Sequence, residues 1–223
     1  LNNDLRTAKV EEQVEIERIL RNFSMSIQGC EDRLRIAYET ITDMDVIFAK
    51  ALLGREWKAS RPNVNTKGVV RINAGRHPLI DGKKVVPVSL SMNGEDKMLL
   101  ITGPNTGGKP VTLKLVGLFV LLAMTGMYVP AKSADLAIFD GVYCDIGDEQ
   151  SIEQSLSTFS GHIKTIIEIL DKITDKSLVL FDELGAGTDP GEGAALAVSI
   201  SERIISVGAK ALVTSHFNDL KEF

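Results

Sequence analysis

A glycine-rich segment that ends in a lysine carries the clearest chemical signal in this sequence. Gly103, Gly108 and Lys109 follow the spacing G-x-x-x-x-G-K, and an apolar run over 98–102 leads into them. Glycines let a backbone curve around a phosphate, and the positive N-terminal end of a following helix stabilises the bound anion. The segment therefore predicts a strand, a phosphate-binding loop and a helix. The predicted nucleotide-binding residues are Gly103, Pro104, Asn105, Thr106, Gly107, Gly108, Lys109, Pro110 and Val111.

One position departs from this pattern. Ser or Thr normally follows the lysine and binds Mg²⁺ through its hydroxyl, whereas this chain has Pro110. Proline fits the first turn of a helix but supplies neither a hydroxyl nor a backbone N–H. Thr112 lies two residues further on and faces another side of the helix, so we expect it to be a poor substitute. The sequence predicts that metal-dependent hydrolysis is impaired more than nucleotide binding.

Acidic and imidazole side chains follow two later strand-like runs. Asp182 and Glu183 come directly after the apolar run 177–181, and His216 follows the run 211–214. Ligands bind at the carboxyl ends of strands in open α/β sheets, where the phosphate loop is also expected. We predict that Asp182 holds Mg²⁺ through water and that Glu183 orients or deprotonates an attacking water. His216 is placed to sense a γ-phosphate, so Glu183 and His216 are the predicted catalytic residues.

Composition sets the broad class. The chain has 223 residues, 44% of them hydrophobic, and a formal net charge of −5, so no bulk basic field indicates nucleic-acid binding. Cys30 and Cys144 are far apart in sequence and form no metal-binding or disulfide spacing, which suits a reducing, cytoplasmic location. No run is long and apolar enough to span a bilayer, so we expect no membrane association. The chain begins at Leu1 without a signal peptide, and we interpret it as a fragment.

Hydrophobic periodicity predicts three parts. Residues 1–55 repeat apolar side chains at helical spacing with a turn at Gly29, which predicts an arm of two antiparallel helices or, alternatively, a helical cap packed on the domain. Residues 56–66 contain helix breakers and form a predicted connector. Residues 67–223 begin with antiparallel strands and continue with alternating strands and helices, which indicates an α/β, doubly wound domain with a mixed central sheet and helices on both of its faces.

Hydroxyl side chains, Ser157 among them, come just before the third predicted helix, which covers 158–173. Ser157 is a natural N-cap, because its oxygen can accept a hydrogen bond from the helix N-terminus. The same N-terminus could instead bind an anion, including a phosphate held by another subunit. The helix itself places His162 in a position that we interpret as part of the helix surface.

Five segments together resemble the ATPase domain of the MutS family, within the ABC class of P-loop ATPases. They are LLITGPNTGGK at 99–109, STF at 157–159, LVLFDE at 178–183, GAGTDP at 185–190 and TSH at 214–216. The resemblance extends from about residue 67 to the end, and GRHP at 75–78 looks like the element that opens that domain. Residues 1–53 look like the family's lever and clamp helices.

The resemblance implies a homodimer with two composite ATP sites. One subunit would hold ATP and Mg²⁺ with its phosphate loop and with Asp182 and Glu183. The segment Ser157, Thr158 and Phe159 of the other subunit would complete the γ-phosphate pocket. Closure driven by ATP would move the helical arm and, through it, a clamp on DNA.

Segments 145–159 and 183–190 look like the second bacterial branch of this family. That branch lacks the mismatch-reading domain and usually carries a small Smr-type nuclease domain at its C-terminus. It is linked to suppression of recombination and, in some bacteria, to splitting of stalled ribosomes, so either DNA or the ribosome stays open as the partner. Two rivals are a nucleotide-gated binding module that no longer hydrolyses ATP, and another ABC-class machine such as a chromosome-maintenance ATPase. The order STF, LVLFDE, TSH argues against the latter.

Overall fold

The computed structural model describes residues 2–103, 108–147 and 155–217 of the chain. Two compact units are present, 1–51 and 52–223. The helices are α1 (Asn2–Gln28), α2 (Glu31–Glu56), α3 (Lys109–Met124), α4 (Ser155–Leu170) and α5 (Pro190–Val207). The strands are β1 (Asn63–Asn65), β2 (Val70–Gly75), β3 (Val88–Met92), β4 (Met98–Ile101), β5 (Ser133–Ala137), β6 (Gly141–Asp145), β7 (Ser177–Phe181) and β8 (Lys210–Thr214). Among the described residues, no helix is long and apolar enough to cross a membrane.

The helices α1 and α2 confirm the helical prediction for the N-terminal part, but the expected antiparallel packing is not observed. All described side chains from 3 to 28 are exposed, and Ile36 and Ile41 of α2 remain 60% and 66% exposed. The helices are separated by a turn in which the N–H of Cys30 donates to the carbonyl of Ile27. The apolar residues of α2 also lie on several faces, since Ile36 and Tyr38 are only two positions apart. Packing against α1 alone could not bury them all.

A mixed four-stranded sheet opens the second unit, in the order β1-β5-β2-β3. The strand β2 pairs antiparallel with β3 and β5, which confirms the antiparallel strands expected before the phosphate loop. Some details differ from the expectation. The connector contributes β1, which pairs parallel with β5. The strand β3 is confined to Val88–Met92, and Val129 pairs with Ser60 in an isolated bridge.

The strands do not form the single mixed central sheet that was predicted, because α3 packs between two separate sheets. The second sheet is entirely parallel, in the order β4-β8-β7-β6. Its central strands β7 and β8 are buried along their whole length, as expected for a sheet covered on both faces. Ile101 of β4 pairs with Thr214 of β8, and Val213 of β8 pairs with Phe181 of β7. The carboxyl ends of β4, β8 and β7 therefore lie side by side at one edge.

Helices cover both faces of the parallel sheet, as predicted for an α/β domain. Side chains of consecutive residues on β7 point to opposite faces: Leu180 belongs to the core with α3, and Phe181 to the core with α4 and α5. The helix α3 also packs against the mixed sheet and is buried between the two sheets. A Cβ on Gly117 would lie 2.6 Å from Leu180, so glycine permits the close approach of α3 to β7. This packing fixes the N-terminus of α3 at the carboxyl edge of the parallel sheet.

Candidate functional site at the carboxyl edge of the parallel sheet

Lys109 begins α3 directly after the last described glycine of the loop. Its side chain is buried, with 4% of its surface exposed, and its Nζ donates to the carbonyl of Gly103 at 2.6 Å. Gly108 is left-handed, with φ 75°, a conformation that glycine adopts without the cost of a Cβ. The lysine side chain therefore joins the start of α3 to the segment that follows β4. Pro104, Asn105, Thr106 and Gly107 lie outside the described residues.

His216 lies between the phosphate-loop lysine and the acidic end of β7. Its Nε2 is 3.2 Å from Nζ of Lys109 and 3.5 Å from Oε1 of Glu183. An ammonium group can only donate, so Nε2 accepts in the contact with Lys109, and the ring proton is then on Nδ1. In that tautomer the 3.5 Å approach to Glu183 is not a hydrogen bond. The structure thus brings the two predicted catalytic side chains together and places His216 against the lysine.

Asp182 and Glu183 are held at the exit of β7 by one residue of β8. Thr214 accepts a hydrogen bond from the N–H of Glu183 at 2.7 Å and donates its hydroxyl hydrogen to Oδ1 of Asp182 at 2.5 Å. Glu183 has φ 48°, a left-handed conformation that costs a residue other than glycine about 1–2 kcal/mol. Such outliers persist where surrounding contacts stabilise them, and they cluster at functional sites.

Pro110 leaves the start of α3 without the hydroxyl group that normally follows the phosphate-loop lysine. It lies in the first turn of α3, where proline is tolerated, and Val111 follows it in the helix. The hydroxyl of Thr112 donates to the carbonyl of Gly108 at 3.1 Å, so this group is engaged with the backbone. Among the described residues, no group of three or more acidic, histidine or cysteine side chains could hold a metal. Asp182 fits a Mg²⁺ ion that takes its other ligands from water and phosphate, which is a common arrangement for this ion.

The helix α4 carries the segment that was expected to act in a second subunit. Ser157 and Thr158 lie inside the first turn, because α4 begins at Ser155, so the prediction that Ser157 is the N-cap is wrong. Phe159 lies 3.4 Å from the position that a Cβ on Gly187 would take. The absence of a side chain at Gly187, which has φ 94°, therefore makes room for Phe159 beside the loop after Glu183.

His162 is not merely part of a helix surface, as the sequence suggested. Its Nδ1 lies 2.9 and 2.8 Å from the two carboxylate oxygens of Asp145, and Asp145 is largely buried at the end of β6. The carbonyl of Asp145 also accepts a hydrogen bond from the N–H of Asp182 at 3.0 Å. The pair connects α4 to the strand end beside the acidic residues. Sequence reasoning missed both Asp145 and Thr214, although each ends a strand at the same edge as Asp182.

A close backbone contact follows the acidic pair. A Cβ on Gly193 would lie 2.3 Å from the carbonyl oxygen of Gly185, far inside contact distance. Asp189 caps α5 by accepting from the N–H of Gly191 at 2.9 Å. The helix begins at Pro190, directly after this cap. The GAGTDP segment is therefore both a tight turn and the start of α5.

The GRHP segment begins at the last residue of β2, and its arginine bonds the turn that follows α2. Arg76 donates from Nη2 to the carbonyls of Trp57 and Lys58 at 3.0 and 3.1 Å. Partial burial lowers the pKa of His77, and the nearby charge of Lys114 on α3 lowers it further. A Cβ on Gly75 would lie 3.1 Å from Phe119 and 3.3 Å from Leu115, so the start of the segment packs against α3.

The fold and the site together define an α/β domain with the layout of a P-loop protein. A family model described as MutS domain V matches residues 99–223, and the chain belongs to the MutS family. The whole chain aligns with proteins named Endonuclease MutS2, at 51% identity in Clostridium botulinum (strain Loch Maree / Type A3), 50% in Caldanaerobacter subterraneus subsp. tengcongensis and 49% in Halalkalibacterium halodurans. It spans 28% of the length of each of these relatives. The resemblance to the family's second bacterial branch is confirmed.

Proposed function

We propose that this chain is the ATP-binding core of a MutS-type dimer, and that its longer parent protein acts on DNA in repair or in the suppression of recombination. One observation carries the proposal: at the carboxyl edge of the parallel sheet, Nε2 of His216 lies 3.2 Å from Nζ of Lys109 and 3.5 Å from Oε1 of Glu183. A buried cation, an imidazole and a carboxylate at a helix N-terminus are suited to binding and cleaving a terminal phosphate.

The roles of the side chains follow from their present contacts. Lys109 would exchange its contacts with Gly103 and His216 for phosphate oxygens, because its ammonium group can donate to either kind of acceptor. His216 would then be free to contact the γ-phosphate, and Glu183 would orient a water. Bound Mg²⁺ would neutralise the developing charge on the phosphates, and Asp182 is the residue suited to hold its hydration shell.

We further propose that two copies of the chain pair through these sites, with Ser157, Thr158 and Phe159 of one copy completing the phosphate pocket of the other. Membership of the MutS family supports this arrangement. The position of Ser157 and Thr158 in the first turn of α4 also supports it, because helix N-termini favour anions.

A second candidate function is a nucleotide-gated binding module with impaired hydrolysis. Pro110 favours it, since the chain lacks the hydroxyl that would coordinate Mg²⁺ and since Thr112 is bonded to the backbone. In this form ATP binding would still drive pairing, while turnover would be slow. Binding and hydrolysis must therefore be measured separately.

The test is a titration of a fluorescent ATP analogue into the purified chain, with and without Mg²⁺, while light scattering follows the molecular mass. We expect saturable binding and a shift from monomer to dimer. Lys109→Ala should abolish binding, and Lys114→Ala is the matched control, because it removes an exposed lysine of the same helix. Absence of binding by the unmodified chain, or equal binding by Lys109→Ala, would contradict the proposal.

The macromolecular partner would be bound by a longer protein that contains this segment. We propose DNA, on the strength of family membership and of the relatives' name, Endonuclease MutS2. Splitting of stalled ribosomes is the alternative. Binding of a full-length protein that contains this segment to branched DNA and to 70S ribosomes, with and without ATP, distinguishes the two: ATP-dependent binding to ribosomes alone would exclude DNA as the partner.

A further inference from the structure

Thr214 forms contacts that its place in a buried strand does not require. The residue is fully buried at the end of β8, and its hydroxyl bonds both Asp182 and the backbone of Glu183. Its own carbonyl accepts from the N–H of Leu184 at 3.0 Å. One residue thus contacts three consecutive residues at the exit of β7.

We propose that Thr214 is a positioning residue for the metal and nucleotide, with its hydroxyl fixing the Asp182 carboxylate and the left-handed backbone of Glu183. This inference rests on the proposed function of the site. Thr214 itself touches neither phosphate nor metal in the proposal; it acts through its two neighbours.

The direction of the two hydrogen bonds supports this role. A backbone N–H can only donate, so the oxygen of Thr214 accepts from Glu183, and the hydroxyl hydrogen is left for Oδ1 of Asp182. That hydrogen is matched to an ionised carboxylate, which accepts with either oxygen. The bond restrains rotation of the Asp182 carboxylate, the group proposed to hold the hydrated metal.

The strand register explains why Thr214 faces Asp182. Phe181 pairs with Val213 in the parallel sheet, so the next residues, Asp182 and Thr214, are adjacent. Alternation places both on the face of Leu180 and Leu212, which belong to the core with α3. The phosphate-loop helix covers this same face. The hydroxyl therefore lies on the face of the sheet that α3 covers.

The hydroxyl of Thr214 also restrains the backbone of Glu183, which has a positive φ. At 48° this residue is in a region that favours glycine, and its N–H is held by Thr214 at 2.7 Å. The following N–H, of Leu184, is held by the Thr214 carbonyl. Loss of the hydroxyl would remove the restraint on Glu183 while leaving that on Leu184, so the two effects can be separated.

The experiment compares Thr214→Val, which keeps the shape and removes the hydrogen bonds, with Thr214→Ser, which keeps the hydroxyl. Hydrogen–deuterium exchange at the Glu183 amide is measured without nucleotide, with the Leu184 amide as the internal reference. We expect exchange at Glu183 at least about tenfold faster in Thr214→Val, because a hydrogen bond is lost, and near-normal exchange in Thr214→Ser. Equal exchange in all three proteins would overturn the inference.

The second measurement is the Mg²⁺ concentration that half-saturates binding of the fluorescent ATP analogue. We expect it to rise about tenfold in Thr214→Val, with binding in the absence of Mg²⁺ unchanged and with Thr214→Ser close to the original. A purely structural role predicts equal losses with and without Mg²⁺, and that result would overturn the inference. If the unmodified chain binds no nucleotide, the proposed function fails, whereas faster Glu183 exchange in Thr214→Val would still establish the backbone restraint.

Discussion

Nζ of Lys109 lies 3.2 Å from Nε2 of His216, although 107 positions separate the two residues in the sequence. The contact exists because β8 lies between β4 and β7, so that the chain leaving β8 passes the start of α3. This order of strands brings the lysine and the histidine together. If nucleotide binds as proposed, Lys109 would exchange this contact for phosphate oxygens, which makes His216 a spectroscopic reporter of the site.

The tautomer of His216 is the first prediction. We expect long-range ¹H–¹⁵N spectra at pH 8 to show the proton on Nδ1, because Nε2 accepts from Lys109. Lys109→Ala should remove this preference, whereas Lys114→Ala should not. The chain has three histidines, so the signals can be assigned by single substitutions. A proton on Nε2 in the unmodified chain would contradict the hydrogen-bond assignment.

The second prediction concerns Pro110. Replacement by Thr restores the missing hydroxyl, so Mg²⁺-dependent hydrolysis should rise by about tenfold or more, while nucleotide affinity changes much less. Pro110→Ala is the matched control, because it restores the backbone N–H without a hydroxyl. Equal turnover by the original chain and by Pro110→Thr would show that this position does not limit the metal site.

The third prediction concerns the close backbone contact between Gly185 and Gly193. Gly193→Ala should lower the free energy of unfolding by about 1–3 kcal/mol, because its Cβ would collide with the carbonyl of Gly185. Gly161→Ala is the control: it lies on α4, with no atom within 4 Å of the added Cβ, and should raise stability by up to about 1 kcal/mol. Denaturant unfolding measures both, and a neutral Gly193→Ala would disprove the close contact.

The pH dependence of stability should carry a contribution from His77. Burial and Lys114 lower its pKa in the folded state, so the unfolded chain takes up the proton first as the pH falls. The unfolding free energy therefore decreases as pH falls from the ordinary histidine pKa of about 6.5 through the lowered value, and this contribution is constant above that range. His77→Gln should make the pH dependence shallower. An NMR titration that placed the His77 pKa at or above 6.5 would contradict the prediction.

The pair formed by Asp145 and His162 should contribute to the docking of α4. A double-mutant cycle with Asp145→Ala and His162→Ala should give a coupling free energy of about 1 kcal/mol, since the two groups are in direct contact and partly shielded from water. His162→Ala alone should also increase protease cleavage near the start of α4. Additive effects of the two substitutions would mean that the contact does not stabilise the helix.

Local patterns in the sequence determined much of this architecture. The glycine spacing and the apolar run before it predicted β4 and the start of α3, because these depend on residues close in the chain. The apolar run 177–181 followed by Asp182 and Glu183 predicted a buried strand with acidic groups at its carboxyl end, and both are observed. Family membership also followed from the order of short motifs along the chain.

Tertiary structure decided which strand ends meet. The position of β8 between β4 and β7 brings Thr214 to Asp182 and His216 to Lys109, and no local periodicity encodes that order. Pairing between distant strands is set by the burial of both faces at once and by the helices that cover them. The same reason explains why the role of His162 was missed, since its partner Asp145 lies on a different strand. It also explains why the helices α1 and α2 were predicted correctly while their packing was not, because a helix can be read from one segment and its partner cannot.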